Sequence, residues 1–256
     1  MQLNLTGKVA LITGVSRRKG IGAAIAKRLA EAGATIFTTY YYPYDIEIGL
    51  GNDASEADAI LAELRALGVN AASMEADLAD PTVPQTIFAE ATRTFGHVDI
   101  LVNNATRDTP ANIDTIDAAT LDAHYAVNIR GLLLLCHEFA QRFQAKSGGR
   151  IINLTSGQGL APMPESLPYV AGKGAIEALT LSLSAALAPR GITVNAIDPG
   201  ATDSGWMSTA LQAELAAKAP LGRIGLPDDA ARLICFLASE EGTWITGQIL
   251  RSRGGM

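Results

Sequence analysis

The sequence predicts a single doubly wound α/β domain over residues 1–256, a seven-stranded parallel sheet with helices on both faces. Three observations predict it. Seven short apolar runs alternate with stretches of helical spacing. A glycine-rich turn separates the first run from the first helix. Nothing resembling a linker or an internal repeat breaks the alternation.

Residues 8–13 (KVALIT) are the first strand, and residues 20–33 (GIGAAIAKRLAEAG) the first helix, closed by glycine. Residues 34–39 form the second strand. A helix over EADAILAELRALG leads to the strand at 69–75, and a helix over 83–95 leads to VDILVNN. One long helix across 117–144 precedes RIINLTS. A helix over 169–188 leads to ITVNAIDPG, and DDAARLICFLASE leads to GQILR. Strand, helix and strand in this repeat make right-handed units and a sheet buried on both faces.

The net charge of −6 argues against a nucleic-acid binder, which carries a basic patch. Cys136 and Cys235 sit in apolar runs outside any C-x-x-C pair and read as buried thiols of a cytoplasmic protein. No apolar run approaches the 18 or so residues of a membrane helix, and the N-terminus lacks the features of a signal peptide. His97, His124 and His137 form no ligand spacing, so no metal site is expected. Leu154 stands where a nucleophile elbow needs glycine, so Ser156 is no hydrolase nucleophile.

Doubly wound sheets bind ligands at the carboxyl ends of their strands. After the first strand come Gly14, Ser16, Arg17, Arg18, Lys19, Gly20, Ile21 and Gly22, a turn that lets backbone N–H groups approach a pyrophosphate. The second strand ends at Tyr40 with no carboxylate until Asp45, while Arg17, Arg18 and Lys19 offer cations to a 2′-phosphate; NADP(H) is favoured over NAD(H). The long segment 40–52 holds four of the six tyrosines, which can flank an adenosine or simply pack a loop. Asp77 and Leu78 end the third strand; Asn103, Asn104, Ala105 and Thr106 end the fourth. Short side chains there can bond adenine or bridge strands.

Residues 156–173 place a hydroxyl, Ser156, a phenol, Tyr169, and an ammonium, Lys173, in one stretch. Tyr169 and Lys173, four apart, share a helix face. An ammonium beside a phenol lowers its pKa toward working pH, which suits proton transfer at a carbonyl or carbinol. Ser156 can hold the same oxygen.

With Thr13-Gly14 through Gly22, Asp77, Asn103-Asn104-Ala105, Asn128, Ser156, Tyr169, Lys173 and Pro199-Gly200, the chain resembles the short-chain dehydrogenases/reductases along essentially its whole length. It looks most like their 3-oxoacyl-[acyl carrier protein] reductase-like members, of fatty acid metabolism. The resemblance implies a Rossmann fold, Ser156 orienting a carbonyl, Tyr169 as general acid, and Lys173 on the nicotinamide ribose. It implies that Asn128 holds a relay water, and that the Ile197 backbone and Thr202, around Pro199 and Gly200, hold the carboxamide. Lys19 accompanies NADP use in the family. The substrate implied is an acyl thioester, on an acyl carrier protein or free, and the assembly a homotetramer or homodimer. A small ketone, sugar or polyol is the second substrate reading, and an NADP-binding regulator without turnover the third.

The chain departs from the family in three places. Five residues separate Gly14 and Gly20 where three are usual, Thr106 replaces a glycine, and Arg253 stands where aspartate is common. The expected substrate walls are residues 158–167, 106–112 and 204–215, with Leu160, Met163, Trp206 and Met207. Arg130 is a candidate contact for an acidic carrier protein.

Overall fold

The apolar runs become strands. In the computed structural model, which describes residues 3–51 and 55–255, they are β1 (Val9–Ile12), β2 (Thr35–Tyr40), β3 (Ala71–Glu75), β4 (Ile100–Asn103), β5 (Gly149–Leu154), β6 (Ile192–Asp198) and β7 (Ile249–Arg251). Among the described residues these seven form one sheet in the order β3-β2-β1-β4-β5-β6-β7, and every pairing is parallel. The chain starts mid-sheet, steps outward to β3, then crosses back to β4. That reversal opens a crevice where β1 and β4 end.

Alternation along β1 shows how the layers form. Ala10 and Ile12 join the core beneath α1 (Ile21–Glu31), α3 (Ser55–Ala66) and α9 (Pro227–Ala238). Val9 and Leu11 join the opposite core beneath α4 (Val83–Phe95), α6 (Leu132–Arg142) and α7 (Leu167–Leu187). Cys136 and Cys235 are buried free thiols, one in each core.

Four expectations change. The segment 40–52 is not a plain loop: α2 (Tyr42–Glu47) folds within it, with Pro43 in its first turn, while Asn52 lies outside the described residues. The helix expected over 117–144 is α5 (Ala118–His124), a π-helical turn (Tyr125–Gly131) and α6, capped where the Asp117 side chain accepts from Thr120 N at 2.8 Å. A helix not expected, α8 (Thr209–Lys218), follows Ser208, whose hydroxyl accepts from Leu211 N at 3.2 Å. Finally, the helical stretch Leu167–Arg190 is long and apolar enough by length and composition to cross a membrane, with hydropathy 1.2. Serine, threonine and lysine interrupt its apolar residues, so no unbroken run marked it. It packs on β6 through a face that includes Gly172, Lys173, Ile176 and Thr180.

Candidate active site

A cleft runs along the carboxyl ends of the strands, lined by Gly14, Ser16, Arg17, Gly20–Gly22, Asp77, Leu78, Asn104 and Ala105 and continuing to Ser156, Tyr169 and Pro199–Thr202. Its glycines are required by close approach. A Cβ on Gly14 (φ +73°) would meet Ala105 Cα at 2.7 Å, and one on Gly22 would meet Gly14 O at 2.6 Å. Asn104 bridges the strand ends, its Nδ2 donating to the carbonyls of Thr13 and Gly14 at 2.9 Å each. Helix α1 opens at Gly20 with extended backbone, no side-chain cap and no acid in its first turn. Its N–H groups at the cleft are therefore available to an anion, and the cleft fits a dinucleotide.

The three cations do not act as one patch. Arg17 lies in the cleft wall, its Nε donating to Asp45 Oδ1 at 3.2 Å and a terminal nitrogen to Ser204 O at 2.9 Å. Arg18 and Lys19 are not in the wall: Arg18 pairs with Glu63 at 2.8 Å and Lys19 with Asp203 at 2.9 Å. Tyr40 is not in the wall either, because its ring packs against Tyr42 at 4.8 Å between centroids. Tyr41 takes that place, its phenol pKa raised by burial and by Asp77. Asp45, the first carboxylate after the second strand, is buried beside the glycine loop because α2 folds back onto it.

Ser156 and Tyr169 meet in the cleft, where the serine hydroxyl opposes the rise of the phenol pKa. Lys173 is buried beneath them. Its Nζ donates to Leu154 O at 2.8 Å and lies 5.3 Å from the centroid of the Tyr169 ring. Burial pushes the phenol up to about 12 and the ammonium down to about 8. The expected lowering of the phenol is therefore reversed: loss of water outweighs the opposing effect of Ser156, and Asp108, Asp198 and Tyr44 push the same way as burial. A protonated phenol paired with a serine hydroxyl can donate a proton to a carbonyl oxygen that both hold.

Asn128, in the π-helical turn, is buried and absent from the cleft wall. Its Oδ1 accepts from Arg107 N at 2.7 Å and Thr106 Oγ1 at 3.2 Å, while its Nδ2 donates to Arg107 O at 2.8 Å. It pins the loop after β4. Thr106, in place of glycine, is one of its partners. The Ile197 carbonyl accepts from Thr155 N at 2.8 Å, and Thr202 lines the cleft. Arg130 bonds the Ala79 carbonyl.

Sequence reading missed Glu47 and Arg253 as wall residues, while Tyr44, Arg107 and Asp108, in segments it named, do line the cleft. Tyr44 Oη accepts from Asp108 N at 2.7 Å, and Arg107 pairs with Glu47, so α2 straps the cleft to the β4 loop. Burial raises the Asp108 carboxyl pKa, opposed by His124, Lys173 and a Ser166 hydrogen bond. Of the expected substrate wall, Thr109, Pro110, Met163 and Trp206 line the cleft, while Leu160 and Met207 do not.

Residues 14–256 match the family model described as Enoyl-(Acyl carrier protein) reductase. The uncharacterized oxidoreductase YjdA of Bacillus subtilis (strain 168) is 48% identical over 250 residues, covering 97% of this chain and 96% of its own. The 3-oxoacyl-[acyl-carrier-protein] reductase FabG of Staphylococcus aureus (strain Mu50) is 34% identical over 256 residues, covering 97% and 98%. Among solved structures, a short chain dehydrogenase from Burkholderia cenocepacia J2315 in complex with NADP superposes with TM-score 0.88 at 36% identity, over 98% of each chain.

Proposed function

The chain belongs to the short-chain dehydrogenase/reductase family, and from that premise we propose that it is an NADP(H)-dependent oxidoreductase reducing a carbonyl to a secondary alcohol, the whole chain acting as one unit. The pairing of the Ser156 and Tyr169 hydroxyls at the cleft carries this reading.

Bound dihydronicotinamide supplies the hydride, and the protein supplies position and a proton. Ser156 and Tyr169 hold the carbonyl oxygen, polarising the carbon that accepts the hydride. Tyr169 gives its proton to that oxygen as the alcohol forms, and the neighbouring Ser156 hydroxyl stabilises the oxygen left on it. Lys173, fixed by the Leu154 carbonyl, holds its cation over the Tyr169 ring and would bind the nicotinamide ribose. Asn128 holds the 106–107 loop as a wall. NADP(H) is supported by Arg17 in the wall and by the NADP-bound relative.

The substrate we favour is a 3-oxoacyl thioester, supported by the Staphylococcus aureus relative and by Met163 and Trp206 at the cleft. A small ketone, sugar or polyol is the second reading, favoured by the polar wall of Asp108 and Arg107. We place the enzyme in the cytoplasm as a homotetramer or homodimer, with exposed Trp244 and Ile249 beside edge strand β7 as candidate contacts. NADPH oxidation measured with acetoacetyl thioesters against hydroxyketones and sugars separates the substrates. Tyr169→Phe tests the chemistry: turnover should fall at least about a hundredfold with NADPH binding retained, and an active variant refutes the assignment.

A further inference from the structure

We infer that Arg253 is a positioning residue for this site, setting the spacing between the Ser156 end of β5 and the Pro199–Gly200 turn. The inference rests on the reading of Ser156 and Tyr169 given above. Arg253 comes from the C-terminal segment after β7 and lines the same cleft.

Its course is fixed by two glycines. A Cβ on Gly157, the residue after Ser156, would lie 2.2 Å from one terminal nitrogen of Arg253 and 3.0 Å from its Cζ. A Cβ on Gly200 would lie 2.9 Å from Arg253 Cγ and 3.2 Å from its Cα. For both glycines the three nearest atoms all belong to Arg253. Gly200 also has φ +66°, which favours glycine in any case, but Gly157 has no left-handed backbone. At Gly157, space for the guanidinium is what excludes a side chain.

The far end is anchored by charge. Asp198, the last residue of β6, is 1% exposed, and its oxygens accept from Arg253 at 3.1 and 3.0 Å. Its Oδ1 also accepts from Gly200 N at 2.9 Å, closing the turn on the same carboxylate. The arginine thus wedges between two loops, one carrying the serine that meets substrate oxygen, the other carrying the turn before Thr202. Removing the cation leaves a buried carboxylate unpaired and both loops without their spacer.

The test uses Arg253→Met, Arg253→Lys, Gly157→Ala and Asp198→Asn, with Tyr169→Phe alongside. Displacement of reacting groups by about an ångström can cost about a hundredfold. Arg253→Met should therefore lower kcat at least about tenfold, with the NADPH Kd, read by cofactor fluorescence, unchanged within about threefold. The isotope effect on kcat with 4-deuterated NADPH should rise as hydride transfer becomes limiting. Arg253→Lys should recover only part of the loss, since a point charge lacks the planar fork. Gly157→Ala should reproduce the loss with Arg253 still present, and it decides the matter if Arg253→Met fails to fold. Asp198→Asn combined with Arg253→Met should lose no more than Arg253→Met alone. Wild-type kcat in folded Arg253→Met with an inactive Tyr169→Phe overturns this inference alone. An active Tyr169→Phe overturns the functional reading and this inference with it. Activity that falls only in step with the folded fraction, read by circular dichroism, also overturns it.

Discussion

Burial fixes the protonation of Tyr169 and Lys173. With the phenol pushed up to about 12, Tyr169 stays a proton donor at any working pH, as reduction requires. With the ammonium held down at about 8, Lys173 is the group that titrates within reach of experiment. As pH rises through about 8 the lysine loses its charge, so reductive kcat/KM should decline above that point. Lys173→Arg keeps its charge, and the limb should move upward in whatever activity remains. The same limb in both proteins would show that another group causes it. Stability should move the other way. The folded pKa lies below the ordinary lysine value of 10.5, so between about 8 and 10.5 the unfolded chain holds more protons and stability rises with pH. Lys173→Met, lacking the group, should lose that share of the rise in a urea titration.

At the level of elements, the sequence made some features readable and hid others for physical reasons. Helix α4 falls on residues 83–95 as expected, because its periodicity is intact and glycine ends it. The strands were readable because burial on both faces demands near-continuous apolar runs. The π-helical turn was not, since a shift from i→i−4 to i→i−5 bonding leaves no mark on composition. Helix α2 was hidden by its run of tyrosines and its proline. Of the site, Ser156, Tyr169 and Lys173 were legible because one helix and one strand end bring them together. Pairs such as Arg17 with Asp45, or Arg253 with Asp198, depend on tertiary folding alone. The distinction gives a cofactor prediction. Arg17→Glu places a carboxylate beside Asp45 in the cleft wall and should raise the NADPH KM at least about tenfold. Arg18→Glu, whose partner Glu63 lies outside the wall, should change it by less than about twofold. Equal effects from the two would refute the placement of Arg17.

Across the whole molecule, buried charge occurs at both ends of the strands but serves different ends. At the carboxyl end, Lys173, Asp198 and Arg253 surround the proposed chemistry. At the amino end, Arg150 is the second residue of β5 and is 2% exposed. Among the described residues its nitrogens donate only to neutral acceptors: Gly149 O at 3.1 Å, Ser239 O at 3.3 Å and Thr243 Oγ1 at 3.0 Å. Its Nε has no hydrogen-bond partner, and burial lowers its pKa. A cation desolvated without a partner carboxylate in contact costs more than its hydrogen bonds return, and an apolar residue of similar length avoids that cost. Arg150→Met should therefore raise Tm by at least about 2 °C, equivalent to about 1 kcal/mol in a chain of this size. Because β5 separates Arg150 from Ser156, kcat/KM should stay within about twofold of wild type. A Tm lowered by several degrees in calorimetry would show instead that the bonds to Ser239 and Thr243 outweigh the burial of the charge. The amino end of the sheet would then depend on that cation to hold the segment after α9 in place.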